Sequence, residues 1–213
     1  MALVYKDNTN RNTSIGIWKK NESIEELLQS TLLMPFEQKE ILENTKLLKR
    51  QTEKLITRRL TQELLKDFNN STYLGISKLT TGKPLLCNSP LELSISHCEE
   101  YVTVQLTIEN RAGIDIQNIN PKLRTIAPRI FSKEELNQIG ESDILLARAW
   151  SCKEAIYKYY EKGNINFIRD IELKKLTDCS QIYGILKTNN KVLKVSMKCI
   201  EHIPNYQVIY CHE

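Results

Sequence analysis

From about Pro35 to Phe68 the chain reads PFEQKEILENTKLLKRQTEKLITRRLTQELLKDF, with Leu47, Leu48, Leu55, Ile56, Leu60 and Leu64 at three- and four-residue steps and charge between them. That spacing predicts a core-facing amphipathic helix, or two in succession. A second long helix is expected over DILLARAWSCKEAIYKYYEK, ended by Gly163. Each is followed by strand-like runs: LELSIS, YVTVQLTI and RAGIDIQ after the first, IRDIELKKL, IYGILKT, KVLKVSM and YQVIYC after the second. Two long helices set against short alternating strands give an α+β chain and exclude βαβ repetition. The expected organisation is two α+β halves, residues 1–108 and 109–213. Each places a long helix on a small antiparallel sheet.

Punctuation supports these elements. SIGIWKK alternates as a strand. SIEELLQS follows with Ser23 and Glu26 in capping-box spacing, and FSKEELNQI repeats that spacing with Ser132 and Glu135. TTGKPLLCNSP reads as a turn-rich loop, and Glu109-Asn110 as a tight hairpin turn that would pair YVTVQLTI with RAGIDIQ. TNNK reads as another hairpin turn. No Pro/Gly/Ser linker separates the halves, so they are expected to pack closely around Thr107 to Gly113.

Several side chains could carry chemistry. In GIDIQ, Ile114 and Ile116 leave one face of a strand while Asp115 and Gln117 leave the other. The aspartate is either solvated on an edge or turned toward a functional partner. His97 ends the strand SISH beside Ser96, and both can donate to phosphate oxygens; a purely structural histidine fits the pattern too. Lys83 stands on a loop that Gly82 allows to approach a ligand, with Pro84 after it. The spacing there is wrong for a P-loop. Arg50 and Arg58 share a helix face and by themselves read as a solvated stripe. Glu154 and Lys158 lie one turn apart, either as a surface ion pair or as a cation site and its neighbour.

The order of these motifs, Arg58, Gly82-Lys83-Pro84, SISH, GIDI, FSKEE and WSCKEAIYK, resembles the 4′-phosphopantetheinyl transferases of the Sfp-type class. The resemblance runs from about Trp18 to Leu173. It implies the 4′-phosphopantetheinyl transferase fold, two similar α+β subdomains related by a pseudo-twofold, with coenzyme A and Mg²⁺ held in a cleft between them. The implied reaction moves the phosphopantetheine arm of coenzyme A to a serine hydroxyl of an apo acyl or peptidyl carrier protein, releasing adenosine 3′,5′-bisphosphate. By the same resemblance Asp115 and Glu154 hold the metal, Glu154 or a water it polarises is the base, and Lys158 stabilises the leaving phosphate. Arg58, Lys83, Pro84, Ser96, His97, Asp115 and Lys158 bind coenzyme A, with Arg59 a rival to Arg58. Lys153 is expected to point away, toward the surface. Gln117 departs from the pattern, because many members carry a third acid there; it would offer the metal a neutral oxygen. That departure also keeps a second reading open, a catalytically inactive relative that binds carrier protein or coenzyme A.

Composition narrows the partners. Thirty Lys and Arg against 26 Asp and Glu give a net charge of +4, well mixed, without the basic block of a nucleic-acid binder. An acidic carrier protein suits this balance, and Lys122, Arg124 and Arg129 either meet it or are ordinary solvated charges. No apolar run is long enough to span a membrane. The six cysteines, without CxxC pairs or a signal-peptide core before them, read as free thiols in the cytoplasm. The resemblance also implies a monomer, since one chain holds both subdomains. A metal-dependent phosphodiester hydrolase would need a further cluster such as HD or DxD, which the chain lacks.

Overall fold

Contacts divide the chain into two units, Met1–Arg111 and Ala112–Glu213. The structure is a computed structural model that describes residues 2–8, 12–69, 71–108, 111–160, 165–188 and 191–212. The turns expected at Glu109-Asn110 and Asn189-Asn190, and the stop at Gly163, lie outside the described residues.

The first unit opens with β1 (Leu3–Asp7) and β2 (Thr13–Lys19), an antiparallel pair of which only β2 was expected. Helix α1 (Ile24–Ser30) begins at the anticipated capping box, with Ser23 Oγ accepting from Glu26 N–H and Glu26 accepting from Ser23 N–H. The long helical run then splits. It gives α2 (Pro35–Gln38), a π-helical turn (Lys39–Glu43), and α3 (Leu48–Leu65). Leu47 and Leu48, expected in the core, are 67% and 69% exposed because the helix starts at them and their side chains precede its buried stripe. Leu55, Ile56, Leu60 and Leu64 are fully buried, each contributing about 2 kcal/mol of burial free energy.

Strands β3 (Ile76–Lys78) and β4 (Pro84–Leu86) form a hairpin, with β4 inside the segment expected to be loop. Gly82, at φ 88°, makes its turn possible and sets Lys83 and Pro84. Strands β5 (Glu92–His97) and β6 (Tyr101–Thr107) complete a four-stranded antiparallel sheet in the order β1-β2-β6-β5. Val102, Val104 and Leu106 of β6 share a core with α3.

The second unit opens with β7 (Ile114–Asn118), followed by two 3₁₀ turns at Pro121–Thr125 and Ala127–Arg129. The expected pairing of β7 with β6 does not occur. β7 pairs antiparallel with β11 (Tyr206–His212), Asp115 opposite Ile209. Helix α4 (Lys133–Ile139) carries the second capping box, Ser132 with Glu135. Helix α5 (Asp143–Tyr160), the short α6 (Phe167–Asp170), and strands β8 (Ile171–Lys174), β9 (Tyr183–Lys187) and β10 (Val192–Ile200) follow. The five-stranded antiparallel sheet runs β7-β11-β10-β9-β8. Leu146, Ala149, Cys152, Ala155 and Ile156 of α5 form its core with Leu186, Met197 and Ile209. Among the described residues no helix is long and apolar enough to cross a membrane.

Candidate active site

Gly113 fixes where β7 meets α5. A Cβ at that position would fall 2.3 Å from the Ala155 carbonyl oxygen and 2.8 Å from Tyr159 Cβ, so only glycine lets the strand lie this close to the helix. Two residues on, alternation turns Asp115 toward α5, and Gln117 leaves the same face. Lys158 answers from the helix: its Nζ donates to Asp115 Oδ1 at 2.8 Å and to the Ile114 carbonyl at 2.9 Å. Asp115 itself is buried.

Glu154 stands one turn before Lys158. Burial, and then the negative charge of Asp115, push its carboxyl above the usual carboxylate range, with Lys158 opposing. Two acids and one lysine therefore share a small region of the second unit. Gln117 Nε2 donates to its neighbour's carbonyl, Asn118 O, at 3.1 Å. Across from it on β11, Gln207 Oε1 accepts from the buried Arg148 Nε on α5 at 2.9 Å.

Lys153, expected at the surface, is fully buried. Its ammonium donates to Glu135 Oε2 at 2.7 Å and to the carbonyls of Phe167, Ile171 and Ile130 at 2.6, 3.0 and 3.2 Å. Glu135 also accepts from Ser132 N–H and Leu173 N–H, so one carboxylate caps α4, pairs with α5 and holds β8. A signal was present in the sequence: Lys153 falls four residues after Ala149 and three before Ile156, on the core stripe itself.

The phosphate-binding candidates belong to the first unit. Arg58, Pro84 and His97 line a cavity of about 410 Å³ together with Arg50, Lys54 and Lys78. Arg58 is not part of a solvated stripe. It is buried, with Nε donating to Glu37 Oε1 at 2.9 Å and Nη2 to Glu40 Oε2 at 3.2 Å. Glu37 is fully buried and accepts also from Tyr73 OH and from the N–H groups of Ile76 and Met34. Lys83, between two residues of the cavity wall, is ion-paired with Glu92. Ser96 is buried on the face of β5 opposite to Ile95 and His97, whose side chains line the cavity. Sequence reasoning passed over Lys54, Lys78 and the buried Glu53, none of which belongs to a motif.

All six cysteines are free thiols. Burial pushes the Cys152 and Cys211 thiols up, which keeps them protonated and removes them as nucleophiles. Among the described residues no three His, Cys, Asp or Glu side chains gather as a metal cluster. Asp115 and Glu154 are thus a two-carboxylate set.

Residues 111–211 match the family described as the 4′-phosphopantetheinyl transferase superfamily, a span that contains Gly113, Asp115, Gln117, Lys153, Glu154 and Lys158. A protein of Haemophilus influenzae (strain ATCC 51907 / DSM 11121 / KW20 / Rd) named "Putative 4'-phosphopantetheinyl transferase" is 29% identical over 160 residues, covering 70% of this chain and 54% of the relative. The chain spans about half the length of the curated relative it matches.

Proposed function

We propose that the chain is a 4′-phosphopantetheinyl transferase of the Sfp-type class, acting on coenzyme A and an apo acyl or peptidyl carrier protein. The observation that carries this reading is the meeting of Asp115 and Lys158 at 2.8 Å beside Glu154, whose carboxyl burial and then Asp115 hold up. All three lie within the matched span.

In the proposed reaction the carrier serine Oγ bonds to the phosphorus bearing the pantetheine arm, and the pyrophosphate P–O bond breaks. The serine proton goes to Glu154, directly or through a water, and adenosine 3′,5′-bisphosphate leaves. A carboxyl raised above its ordinary range is the better base near neutrality. Lys158, held by Asp115 and the Ile114 carbonyl, places a fixed cation where charge grows on the phosphate oxygens. The first unit's cavity, with Arg50, Lys54, Lys78 and His97 on its wall, supplies positive charge for the nucleotide phosphates.

Asp115 and Glu154 fit Mg²⁺: both are hard oxygen donors, and the repulsion from Asp115 that adds to burial in raising Glu154 is the kind a divalent cation relieves. Bound there, with Gln117 as a neutral third oxygen, Mg²⁺ would supply charge neutralisation for the diphosphate. The shared plan of the units supports the expected fold. β2 pairs with β6 and β6 with β5, as β7 pairs with β11 and β11 with β10. The long helix of each unit also spends one buried cation, Arg58 or Lys153, on a buried glutamate.

An acidic carrier suits the exposed Lys122 and Arg129; Arg124 is already paired with Asp143 at 2.8 Å. We place the protein in the cytoplasm as a monomer, consistent with its free thiols. Intact-mass analysis of an apo carrier protein incubated with coenzyme A and Mg²⁺ tests the reading. A gain of one phosphopantetheine arm supports it. Binding of coenzyme A without any gain, on every carrier tried, favours the inactive relative that Gln117 keeps in view.

A further inference from the structure

Glu53 on α3 is buried behind the first unit's cavity and gathers three positive or titratable neighbours. Its Oε1 accepts from Lys20 Nζ at 2.9 Å, its Oε2 from Arg50 Nη1 at 2.8 Å, and His97 Nδ1 lies 3.6 Å from Oε1. Arg50 Nη1 is also 3.1 Å from His97 Nε2. A guanidinium has no acceptor, so Nε2 takes that hydrogen bond through its lone pair. The ring proton therefore sits on Nδ1, toward Glu53, and the imidazole is neutral. Burial pushes the Glu53 carboxyl up, but Lys20, Arg50 and the positive charge that His97 carries once protonated outweigh it and hold the group below its ordinary range.

Most of the other charges around the ring already have partners. Lys54 pairs with Glu40, and Arg58 with Glu37 and Glu40. Lys83 of the β3–β4 turn pairs with Glu92 on β5. Lys78 on β3 lines the cavity and adds to the charge over Glu40. Arg50 is the most exposed member, with a side chain 54% exposed.

We propose that Glu53 is the positioning residue that makes His97 take up a proton when a phosphate monoester enters this cavity. The entering oxygen takes Arg50's N–H, which frees Nε2. Nε2 then accepts one proton from solvent and donates it to the phosphate, while Nδ1–H stays directed at Glu53. An imidazolium between two anions is favoured by both. A hydroxyl at the same place brings no charge and draws no proton. The site thus reads the presence of a terminal phosphate through a proton. This inference rests on the transferase reading, in which the monoester is the 3′-phosphate of coenzyme A.

Calorimetric titration of the whole chain with coenzyme A and with 3′-dephospho-coenzyme A, in two buffers of different ionisation heat, tests it. The wild type takes up close to one more proton for coenzyme A, which it binds about tenfold more tightly. That advantage is full at low pH and fades as pH rises through the raised imidazole value of the complex. Glu53→Gln loses the extra proton and narrows the preference for coenzyme A over the dephospho form. His97→Asn loses the extra proton with Glu53 in place, and decides the matter where Glu53→Gln does not fold. Retention of the extra proton in either variant overturns the inference. Equal binding of both ligands by the wild type, with transfer to a carrier intact, overturns it and leaves the transferase reading standing. Absence of both binding and transfer overturns both.

Discussion

The Lys153 ammonium sits 2.7 Å from Glu135 Oε2, with no solvent exposure at either end of consequence, one residue before Glu154. Helix α5 is therefore held by a buried charge immediately beside the acid it presents. Four acceptors around one ammonium satisfy it fully, which is what makes a buried lysine tolerable.

Replacing Lys153 by Met leaves Glu135 buried without its countercharge. The expected cost is about 3 kcal/mol, seen as a lower urea midpoint at constant slope. An unchanged midpoint would show that Glu135 is satisfied by its two backbone donors alone.

Glu154→Gln is expected to abolish phosphopantetheine gain on the carrier while raising stability slightly near pH 8. The folded-state carboxyl is raised above its ordinary value of 4.5. Its contribution to stability is thus full below that value and is lost as pH climbs through the raised one. The stability advantage of the variant should accordingly vanish near pH 4, as thermal melts across pH can show. A variant less stable than wild type at pH 8 would contradict the sign.

Gln117→Glu restores a third acid on the Asp115 face. The expected outcome is a lower half-saturating Mg²⁺ concentration for transfer, because a carboxylate adds charge to a set that now holds two. Equal half-saturation in the two proteins would remove Gln117 from the metal's surroundings.

Gly113→Ala forces a Cβ toward backbone atoms of Ala155 and Tyr159 that cannot move aside as a side-chain tip would. A loss of about 2 kcal/mol is expected, together with slower transfer as Asp115 is displaced from Lys158. Retained melting temperature and rate would mean that strand and helix can separate without consequence.

The parts of the fold that were legible in sequence are those decided locally. Ser23 with Glu26 and Ser132 with Glu135 announce helix starts at fixed spacing, and both boxes form. The second duty of Glu135 was hidden by the first: once explained as a cap, nothing in the chain hints that it also meets Lys153. The burial of Arg58 was hidden for the same reason, since Glu37 lies on another element. Leu47 and Leu48 continue the helical spacing past the point where the helix begins, and spacing alone cannot place that point. Adjacency suggested that β7 would pair with β6; its true partner, β11, is set by long-range packing that no short window contains. Asp115, Glu154 and Lys158 were readable because a motif joined them, whereas Glu53, outside any motif, was not.

The pairing of β7 with β11 also orders events on the ribosome. The strand bearing Asp115 emerges early, yet the neighbour that completes its hydrogen bonding is made only after every other strand of the sheet. A nascent chain stopped before Tyr206 would leave the strand bearing the acid without β11, its partner in the sheet.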